Sequence, residues 1–425
     1  MSAPTSTTTS PEQPAARTMR ARQSSLTWLV IALFVLVSVS AVRILTGAHE
    51  IDSRGSIQAA IIATCPILMA AMGGLWSERS GVVNIGLEGQ MILGTWGAGY
   101  FTYYYGPWQG ILGAALLGAV GGLIHAIATV TFGVDHIVSG VAVNIIGLGA
   151  AKFLAEAYFS DLSSDRGTGG VKQLVGLERP PSFTVPGISD WTSSLADKHW
   201  FVISDIAATI AALTTQMSWV TVLVAALVAF SAWVLWKTTF GLRLRSCGEN
   251  PQAAESLGVN VYRYKYVAVL VSGAFAGIGG GYLALVASSG FVTGQTNGRG
   301  FIGLAAMIFG NWRPGGIVAG AAMFGYTDSL PLRAQSTIHA LLLLIAIGLF
   351  AYAVFRLVKG QRGTAAVLGV FGVLFLLWYL VTKEVPRDFT SMTPYIATLL
   401  VLAFAAQRLR MPAADGQVYR KGSAG

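Results

Sequence analysis

Runs of about twenty predominantly apolar residues recur along almost the whole chain, and a helix of that length crosses the hydrocarbon core of a bilayer. A soluble protein has no single core that could bury so many helices that are apolar on all sides. The sequence therefore predicts an all-α, polytopic membrane protein. Twelve transmembrane segments are expected, near residues 26–46, 56–75, 83–105, 109–132, 137–158, 218–237, 264–286, 300–311, 315–331, 338–358, 363–382 and 392–408.

The composition excludes the soluble classes of protein. Apolar residues make up 54% of the 425 residues and charged residues only 11%, whereas a soluble domain carries about 25% charged residues. This balance excludes a soluble enzyme, a disordered chain and a nucleic-acid-binding protein. The formal net charge of +9 is interpreted as a signal of membrane orientation, since Lys and Arg concentrate in cytoplasmic loops.

The distribution of Lys and Arg predicts the topology. Residues 1–25 are rich in Ser, Thr and Pro, cannot bury a core, and are expected to form a disordered cytoplasmic tail. With that tail inside, most basic residues lie on the cytoplasmic side, including those of a second tail at 409–425. Residues 159–205 then form a long extracytoplasmic loop. A thirteenth span at 201–216 is rejected because it is short and contains Asp205.

Two features of the spans are typical of transporters. The predicted spans at 300–311 and 315–331 are short and separated by Gly and Pro, which indicates broken helices. Residues 85–96 also align with residues 302–312 after one gap, with an odd number of spans between them. An odd number makes the two copies run in opposite directions, so we expect an inverted internal repeat.

Glycine recurs every fourth residue in several predicted spans, as at Gly118 and Gly122 and at Gly273, Gly277 and Gly281. This spacing lets two helix backbones approach closely in lipid. We expect ordinary helix packing at these positions.

The predicted cytoplasmic loop 238–263 contains the boundary signals of a short helix. Asn250 is a good N-cap, Pro251 suits the first helical position, and Gly258 suits the residue after the last turn. These signals predict a helix over about 251–257, with two small alanines facing outward. A helix of two turns is unstable alone, so the segment either docks on another protein or is a plain turn between two spans.

Two stretches of sequence then point to a known family. Residues 241–258 read GLRLRSCGENPQAAESLG, and residues 77–91 read SERSGVVNIGLEGQM. Together they resemble the coupling loop and the signature of permease subunits of ABC importers, in the ribose/branched-chain amino-acid type permease family. Residues 298–306 (GRGFIGLAA) and 394–399 (PYIATL) resemble its nucleoside branch, which is linked to basic membrane lipoproteins. The resemblance covers about residues 77–408.

This resemblance implies a set of partners and a location. The chain would be a multi-pass protein of the plasma (inner) membrane, with both termini cytoplasmic. It would work with ABC ATPase subunits, a second permease subunit that is usually a paralogue, and an extracytoplasmic substrate-binding lipoprotein. The imported substrate would be a nucleoside or a related ribosyl or sugar compound. The residues implied to couple the ATPase are Gly248, Glu249, Asn250, Pro251, Ala253, Ala254, Glu255, Leu257 and Gly258.

The chain departs from the family pattern in two places. The family core has about ten spans, so residues 338–382 are interpreted as an extra helical hairpin. Asp135 and His136 stand where relatives often carry Asn and Glu. These departures leave the choice among nucleosides and sugars open.

Polar side chains near the starts of the two aligned segments are candidates for the translocation pathway. A broken helix exposes backbone polar groups that can bind a ligand where they face a cavity. A carboxylate inside a span, such as Glu88, is costly unless it faces a cavity or a partner. These side chains line the pathway or, alternatively, only hydrogen-bond neighbouring helices. They are Asn84, Glu88, Gln90, Asn144, Asn297 and Phe301.

The sequence lacks the motifs of catalysis. No G-x-x-x-x-G-K-[ST] motif occurs, so ATP hydrolysis is expected on a separate subunit. The five histidines and two cysteines do not have the spacing of metal ligands. No catalytic residue, metal or cofactor is therefore expected, which argues against a membrane enzyme. An ion-coupled secondary transporter stays open as an alternative, although such carriers more often have a cluster of carboxylates at mid-membrane.

Overall fold

The computed structural model describes residue 30 and residues 33–159, 173–330, 335–382, 385–386, 392 and 409–422. The helices within these residues are α1 (Leu33–Thr46), α2 (Arg54–Arg79), α3 (Leu87–Tyr105), α4 (Pro107–Ala126), α5 (His136–Phe159), α6 (Ile188–Ala196), α7 (Ile203–Thr214), α8 (Trp219–Lys237), α9 (Thr239–Glu249), α10 (Pro251–Ser256), α11 (Val261–Tyr282), α12 (Arg299–Phe309), α13 (Pro314–Ser329), α14 (Gln335–Val358) and α15 (Arg362–Val381). A π-helical turn extends α4 over Ile127–Thr131 and α11 over Leu283–Ala287.

Seven helices of the described part of the chain are long and apolar enough to cross a membrane: α2, α4, α5, α8, α11, α14 and α15. The prediction of a helical, multi-pass membrane protein is therefore confirmed, whereas the number twelve stays a prediction. The helix predicted over 300–311 is present as α12, with 11 residues. The tail predicted at 1–25 and nearly all of the span predicted at 392–408 lie outside the described residues.

The prediction of an all-α fold misses four strands of two residues each: β1 (Leu174–Val175), β2 (Ser182–Phe183), β3 (Met217–Ser218) and β4 (Gly290–Phe291). They form two antiparallel pairs, β1 with β4 and β2 with β3. Each pair joins chain segments that connect helices, where the backbone groups have no intrahelical partner. The apolar helix α7 has 12 residues, too few for a span of about 20.

The described chain divides into two compact units. Of the described residues, unit 1 comprises residue 30 and residues 33–54, 190–210, 335–382 and 385, and unit 2 comprises residues 55–159, 173–189, 211–330, 386, 392 and 409–422. Unit 1 contains α14 and α15, an antiparallel pair joined at 359–361. This pair occupies the residues of the predicted hairpin 338–382. Its helix α1 holds a buried cation, Arg43, which lies 2.9 Å from the Asp205 carboxylate.

Unit 2 is centred on α2, α3, α4 and α11. α4 and α11 cross at their glycines: a side-chain carbon at Gly118 would overlap the carbonyl oxygen of Gly273, and one at Gly277 would overlap that of Ala114. Backbone contact this close maximises van der Waals packing, which drives helix association where lipid surrounds the helices. The prediction that these glycines serve helix packing is confirmed.

α3 begins at Leu87, four residues later than the span predicted from residue 83. Residues 82–86 are not helical. Side chains take the backbone bonds that a continuing helix would make: the Ser77 hydroxyl donates to the Val82 carbonyl at 2.6 Å, and Asn84 Oδ1 accepts the Gly86 N–H at 3.1 Å. Such local bonds compete with helix formation, so the helix starts only after them.

The predicted loop 238–263 contains two helices, of which α9 was not predicted. The Thr238 hydroxyl caps α9 by accepting the Gly241 N–H at 3.1 Å. The short helix α10 is confirmed: Asn250 Oδ1 accepts the Ala253 N–H at 3.0 Å, Pro251 is its first residue, and Gly258 has φ +82° just beyond its end. Local capping therefore determines the position of this helix.

Candidate functional site

The two small alanines of α10 face different environments. Ala253 is exposed, but Ala254 is only 2% exposed, so the expectation that both face outward is wrong for Ala254. Ala254 packs in a cluster with Cys247, Val261 and the partly buried Tyr419. The helix thus has an inner face, and its outer face ends at Leu257, which is 85% exposed.

Residues 409–422, which we call the C-terminal segment, pack against the inner face of α10. The Ala414 N–H donates to the Gly248 carbonyl at 2.9 Å, and the Ala413 N–H donates to Glu249 Oε2 at 3.3 Å. The Tyr419 ring lies 5.4 Å from the ring of Tyr262. These contacts hold the segment against the end of α9 and the side of α10.

The last residues of α2 tie three elements together. Glu78 accepts the indole N–H of Trp312 at 2.6 Å, and Arg79 donates twice to the Trp312 carbonyl, at 3.2 and 2.7 Å. Arg79 also lies 3.8 Å from the Glu249 carboxylate at the end of α9. Because a planar guanidinium carries several N–H donors, Arg79 can contact the Trp312 carbonyl and the Glu249 carboxylate at the same time. These contacts link the end of α9 to α2 and to the turn between α12 and α13.

The carboxyl group of Asp415, in the C-terminal segment, lies close to Glu78 and Arg79. Both carboxylate oxygens of Asp415 are buried. Burial raises the pKa of Asp415 from 3.8 to about 7, because a charged carboxylate loses its hydration there. The positive charges of Lys265 and Arg79 act in the opposite direction but do not offset the burial. The segment therefore carries a group that titrates near neutral pH.

A second polar cluster surrounds Glu88 at the start of α3. Its carboxylate accepts the Thr296 hydroxyl at 2.6 Å, the Gly298 N–H at 2.9 Å and the Gly300 N–H at 2.7 Å. The last two donors belong to the start of α12, and Glu88 itself lies in the first turn of α3. A helix N-terminus favours negative charge, so the carboxylate is stabilised by the N-termini of two helices at once.

Three further candidates hydrogen-bond neighbouring backbone and side chains. Asn84 donates to Gln90 Oε1 at 3.0 Å and to the Ser272 hydroxyl at 2.9 Å. Asn144 accepts the Gly89 N–H at 2.8 Å and donates to the Ile85 carbonyl at 3.1 Å. Asn84 and Gln90 are fully buried. These contacts bridge α3, α5 and α11.

The last two candidates are more accessible. Asn297 is exposed and has φ +44°, and Phe301 is 47% exposed. The structure thus places the six candidates around the starts of α3 and α12. Whether they line a pathway stays a prediction. Among the described residues, no group of three or more His, Cys, Asp or Glu could hold a metal ion.

Comparison with known proteins places this geometry in a family. The profile of the family described as "Branched-chain amino acid transport system / permease component" matches residues 56–347. The chain belongs to this family of permeases. No solved structure shows a significant match to the chain.

Relatives extend the similarity beyond the profile. The permease is 34% identical over 375 residues to the guanosine ABC transporter permease NupQ of Bacillus subtilis, covering 86% of this chain and 96% of NupQ. It is 34% identical over 368 residues to the nucleoside ABC transporter permease NupC of Lactococcus lactis, covering 85% and 95%. It is 29% identical over 377 residues to TsgC13 of Haloferax volcanii, provisionally named a glucose ABC transporter permease, covering 87% and 98%.

The resemblance to ABC permeases inferred from the sequence is therefore confirmed. The permease is a multi-pass membrane subunit that acts with ATPase and substrate-binding partners, and it is not itself an enzyme. Membership in this family also overturns the alternative of an ion-coupled carrier working alone.

Two parts of the site were missed by sequence reasoning. The C-terminal segment was predicted only as a tail, although its Pro412, Asp415 and Gly416 are residues that favour tight turns. The Trp312 contacts had no local signal, because they join positions more than 230 residues apart, as between Glu78 and Trp312. Only the Asn-Trp-Arg-Pro interruption between two short spans marked that turn as unusual.

Proposed function

We propose that this permease imports nucleosides or a related ribosyl or sugar compound, driven by ATP hydrolysis on its partner subunits. One observation carries the proposal: the 34% identity to NupQ and NupC extends over at least 95% of the length of each. Similarity along nearly the whole length includes every segment that could form the pathway, so it supports a related substrate as well as a shared fold.

Uptake in cells tests this proposal. The permease is expressed with its ATPase, second permease and lipoprotein in a strain that lacks nucleoside uptake, and radiolabelled guanosine is supplied. We expect uptake that unlabelled nucleosides inhibit and that glucose does not. Inhibition by glucose alone would assign the permease to sugars instead.

We further propose that α10 is the coupling helix that receives the ATPase. The outer face of α10 supports this, since it offers Ala253 and the 85%-exposed Leu257 to a partner. The Arg79 contacts with Glu249 and Trp312 connect the end of α9 to α2 and to the turn between α12 and α13.

The two alanines of α10 provide a matched test of this role. Ala253→Arg adds a bulky charge on the outer face, so we expect loss of ATPase co-purification with the permease still folded. Ala254→Arg instead overfills the inner cluster, which typically costs about 1–3 kcal/mol of stability, so we expect a lower melting temperature. Full ATPase binding by Ala253→Arg would contradict the coupling role.

The translocation pathway is proposed to start where α3 and α12 begin. Asn84, Glu88, Gln90, Asn144, Asn297 and Phe301 remain the proposed lining. The proposal is supported by the exposure of Asn297 and Phe301 beside the Glu88 cluster. The close approach of the starts of α3 and α12 also supports an inverted repeat of 85–96 and 302–312, since broken helices of inverted repeats bring their ends together at binding sites.

Thiol labelling tests the lining. Cysteine at Asn297 and at Phe301 is expected to react with a permeant maleimide in one nucleotide state of the complex and to be protected in another. Val138→Cys is a suitable control, because Val138 is 61% exposed on α5 and is not among the proposed lining residues. State-independent labelling at both positions, in a complex that still transports, would place the pathway elsewhere.

The remaining partners and the orientation are also proposals. We propose a paralogous second permease, a lipoprotein that docks on the extracytoplasmic loop 159–205, cytoplasmic termini, and location in the plasma (inner) membrane. Co-purification from cells that express all four genes with one tagged subunit tests the assembly. Accessibility of a tag fused after Gly425 in inverted and right-side-out vesicles tests the orientation.

A further inference from the structure

A narrow groove runs between α10 and the C-terminal segment. Its volume is about 270 Å³, which admits a large side chain or the tip of a loop. Polar groups that can both donate and accept hydrogen bonds dominate its walls. The wall residues used below are Asn250, Pro251 and Gln252 on one side and Gln417, Val418 and Arg420 on the other.

The wall formed by the C-terminal segment is attached mainly through its backbone. The Ala414 N–H bonds to the Gly248 carbonyl, the Ala413 N–H to Glu249, and the Arg410 N–H to Asn311 Oδ1 at 2.7 Å. The side chain of Tyr419 packs inward beside Tyr262, whereas other side chains of the segment face outward. Val418, for example, is 45% exposed.

The attachment points also determine how the segment moves. Gly248 and Glu249 are the last residues of α9, directly before α10. The segment is therefore bonded to the same two residues that carry α10, and a displacement of α10 carries both walls of the groove. Because the groove moves together with α10, the partner that displaces α10 is expected to bind in the groove as well.

We propose that α10 and the C-terminal segment form one composite docking surface, and that the groove between them receives a polar loop of the ABC ATPase subunit. The proposal rests on the proposed function, because it takes α10 as the ATPase contact. An ATPase is the occupant because this family requires that partner, and because a body covering α10 at Gln252 also meets the opposite wall of the same groove.

Protection from a thiol reagent tests the composite surface. The two native cysteines, Cys65 and Cys247, are buried, and burial raises the pKa of Cys247 to about 11, so the wild-type background is low. Gln417→Cys reports on the groove. Met411→Cys is the control, because Met411 is 55% exposed in the same segment but does not line the groove.

The assay compares the membrane subunits of the complex alone with the same subunits bound to the purified ATPase subunits. We expect the ATPase to slow maleimide labelling at position 417 by about tenfold, as burial in an interface excludes solvent, with no change at position 411. Equal labelling of Gln417→Cys with and without bound ATPase would overturn the composite surface.

Two further variants separate this inference from the proposed function. Gln417→Arg places a bulky charge in the groove, and Ala253→Arg places one on the outer face of α10. Weaker ATPase binding by both variants supports both ideas. Weaker binding by Ala253→Arg alone overturns the composite surface and keeps α10 as the contact. Normal binding by both variants overturns the contact at α10, and the groove with it.

Discussion

The Glu88 carboxylate accepts the backbone N–H of Gly300 at 2.7 Å, and this bond joins the first turn of α3 to the first turn of α12. The contact leaves no room for a larger residue, because a side-chain carbon at Gly300 would overlap the backbone of Glu88. Two helices that are 212 residues apart in sequence thus begin at one carboxylate. The proposed pathway depends on this junction.

Removal of the Glu88 charge is therefore expected to loosen the junction. Glu88→Gln keeps one acceptor oxygen but loses the charge that strengthens three hydrogen bonds, and such bonds contribute about 1.5–3 kcal/mol each. We expect a lower melting temperature in detergent and reduced transport. Glu178→Gln is the control, because Glu178 is exposed. A melting temperature equal to wild type would show that the junction does not depend on the carboxylate.

The predictability of this site from sequence differs between its parts. The position of α10 follows from Asn250, Pro251 and Gly258, because capping depends on residues within one turn of the helix end. The burial of Ala254 could not be inferred in that way. Ala254 is buried by Tyr419, which lies far along the chain. The sequence around a small residue on a short helix is the same whether that residue faces solvent or a distant segment.

The start of α3 shows the same limit. Residues 83–105 have the apolar length of a full span, so the sequence predicts one uninterrupted segment. The helix nevertheless starts at Leu87, because Asn84 and Ser77 bond to nearby backbone groups. Asparagine and serine also occur inside helices, so their presence alone does not reveal the break. The apolar spacing thus predicts that a helix is present, whereas the polar contacts that determine its first residue cannot be inferred from that spacing.

The Arg79 guanidinium is expected to be essential for coupling rather than for folding. Arg79→Lys keeps the positive charge but cannot bond the Trp312 carbonyl through two nitrogens while facing Glu249. We expect ATPase binding to persist while transport per ATP hydrolysed falls by about tenfold, consistent with the loss of roughly 1.4 kcal/mol or more. Arg243→Lys is the control, because Arg243 is an exposed residue of α9. Unchanged transport per ATP would exclude this connection.

The crossing of α4 and α11 gives a prediction of stability. Gly118→Ala forces a carbon against the Gly273 carbonyl, so the helices must separate, and overpacking of this kind costs about 1–3 kcal/mol. Gly149→Ala on α5 is the matched substitution, because a side-chain carbon there would meet no neighbouring element within 4 Å. There alanine only improves helix propensity. Thermal unfolding should separate the two variants, and equal melting temperatures would contradict the close crossing.

The C-terminal segment is expected to dock more tightly as the pH falls. The pKa of Asp415 rises from 3.8 to about 7 when the segment is docked, so the docked state binds a proton that the free segment releases. This contribution is complete below pH 3.8 and is lost as the pH rises through about 7. The groups that act on Asp415 are Glu78 and Arg79 on α2 and Lys265 on α11.

Spin-label mobility measures this docking. A nitroxide at Gln417→Cys is expected to become severalfold more mobile between about pH 5.5 and pH 8, as the buried carboxyl loses its proton. Asp415→Asn removes the titrating group while keeping a neutral side chain of similar size. In that background the label should stay immobile across the range, because an amide carries no charge to bury. If the label loosens equally with Asn at position 415, a group other than Asp415 controls the segment.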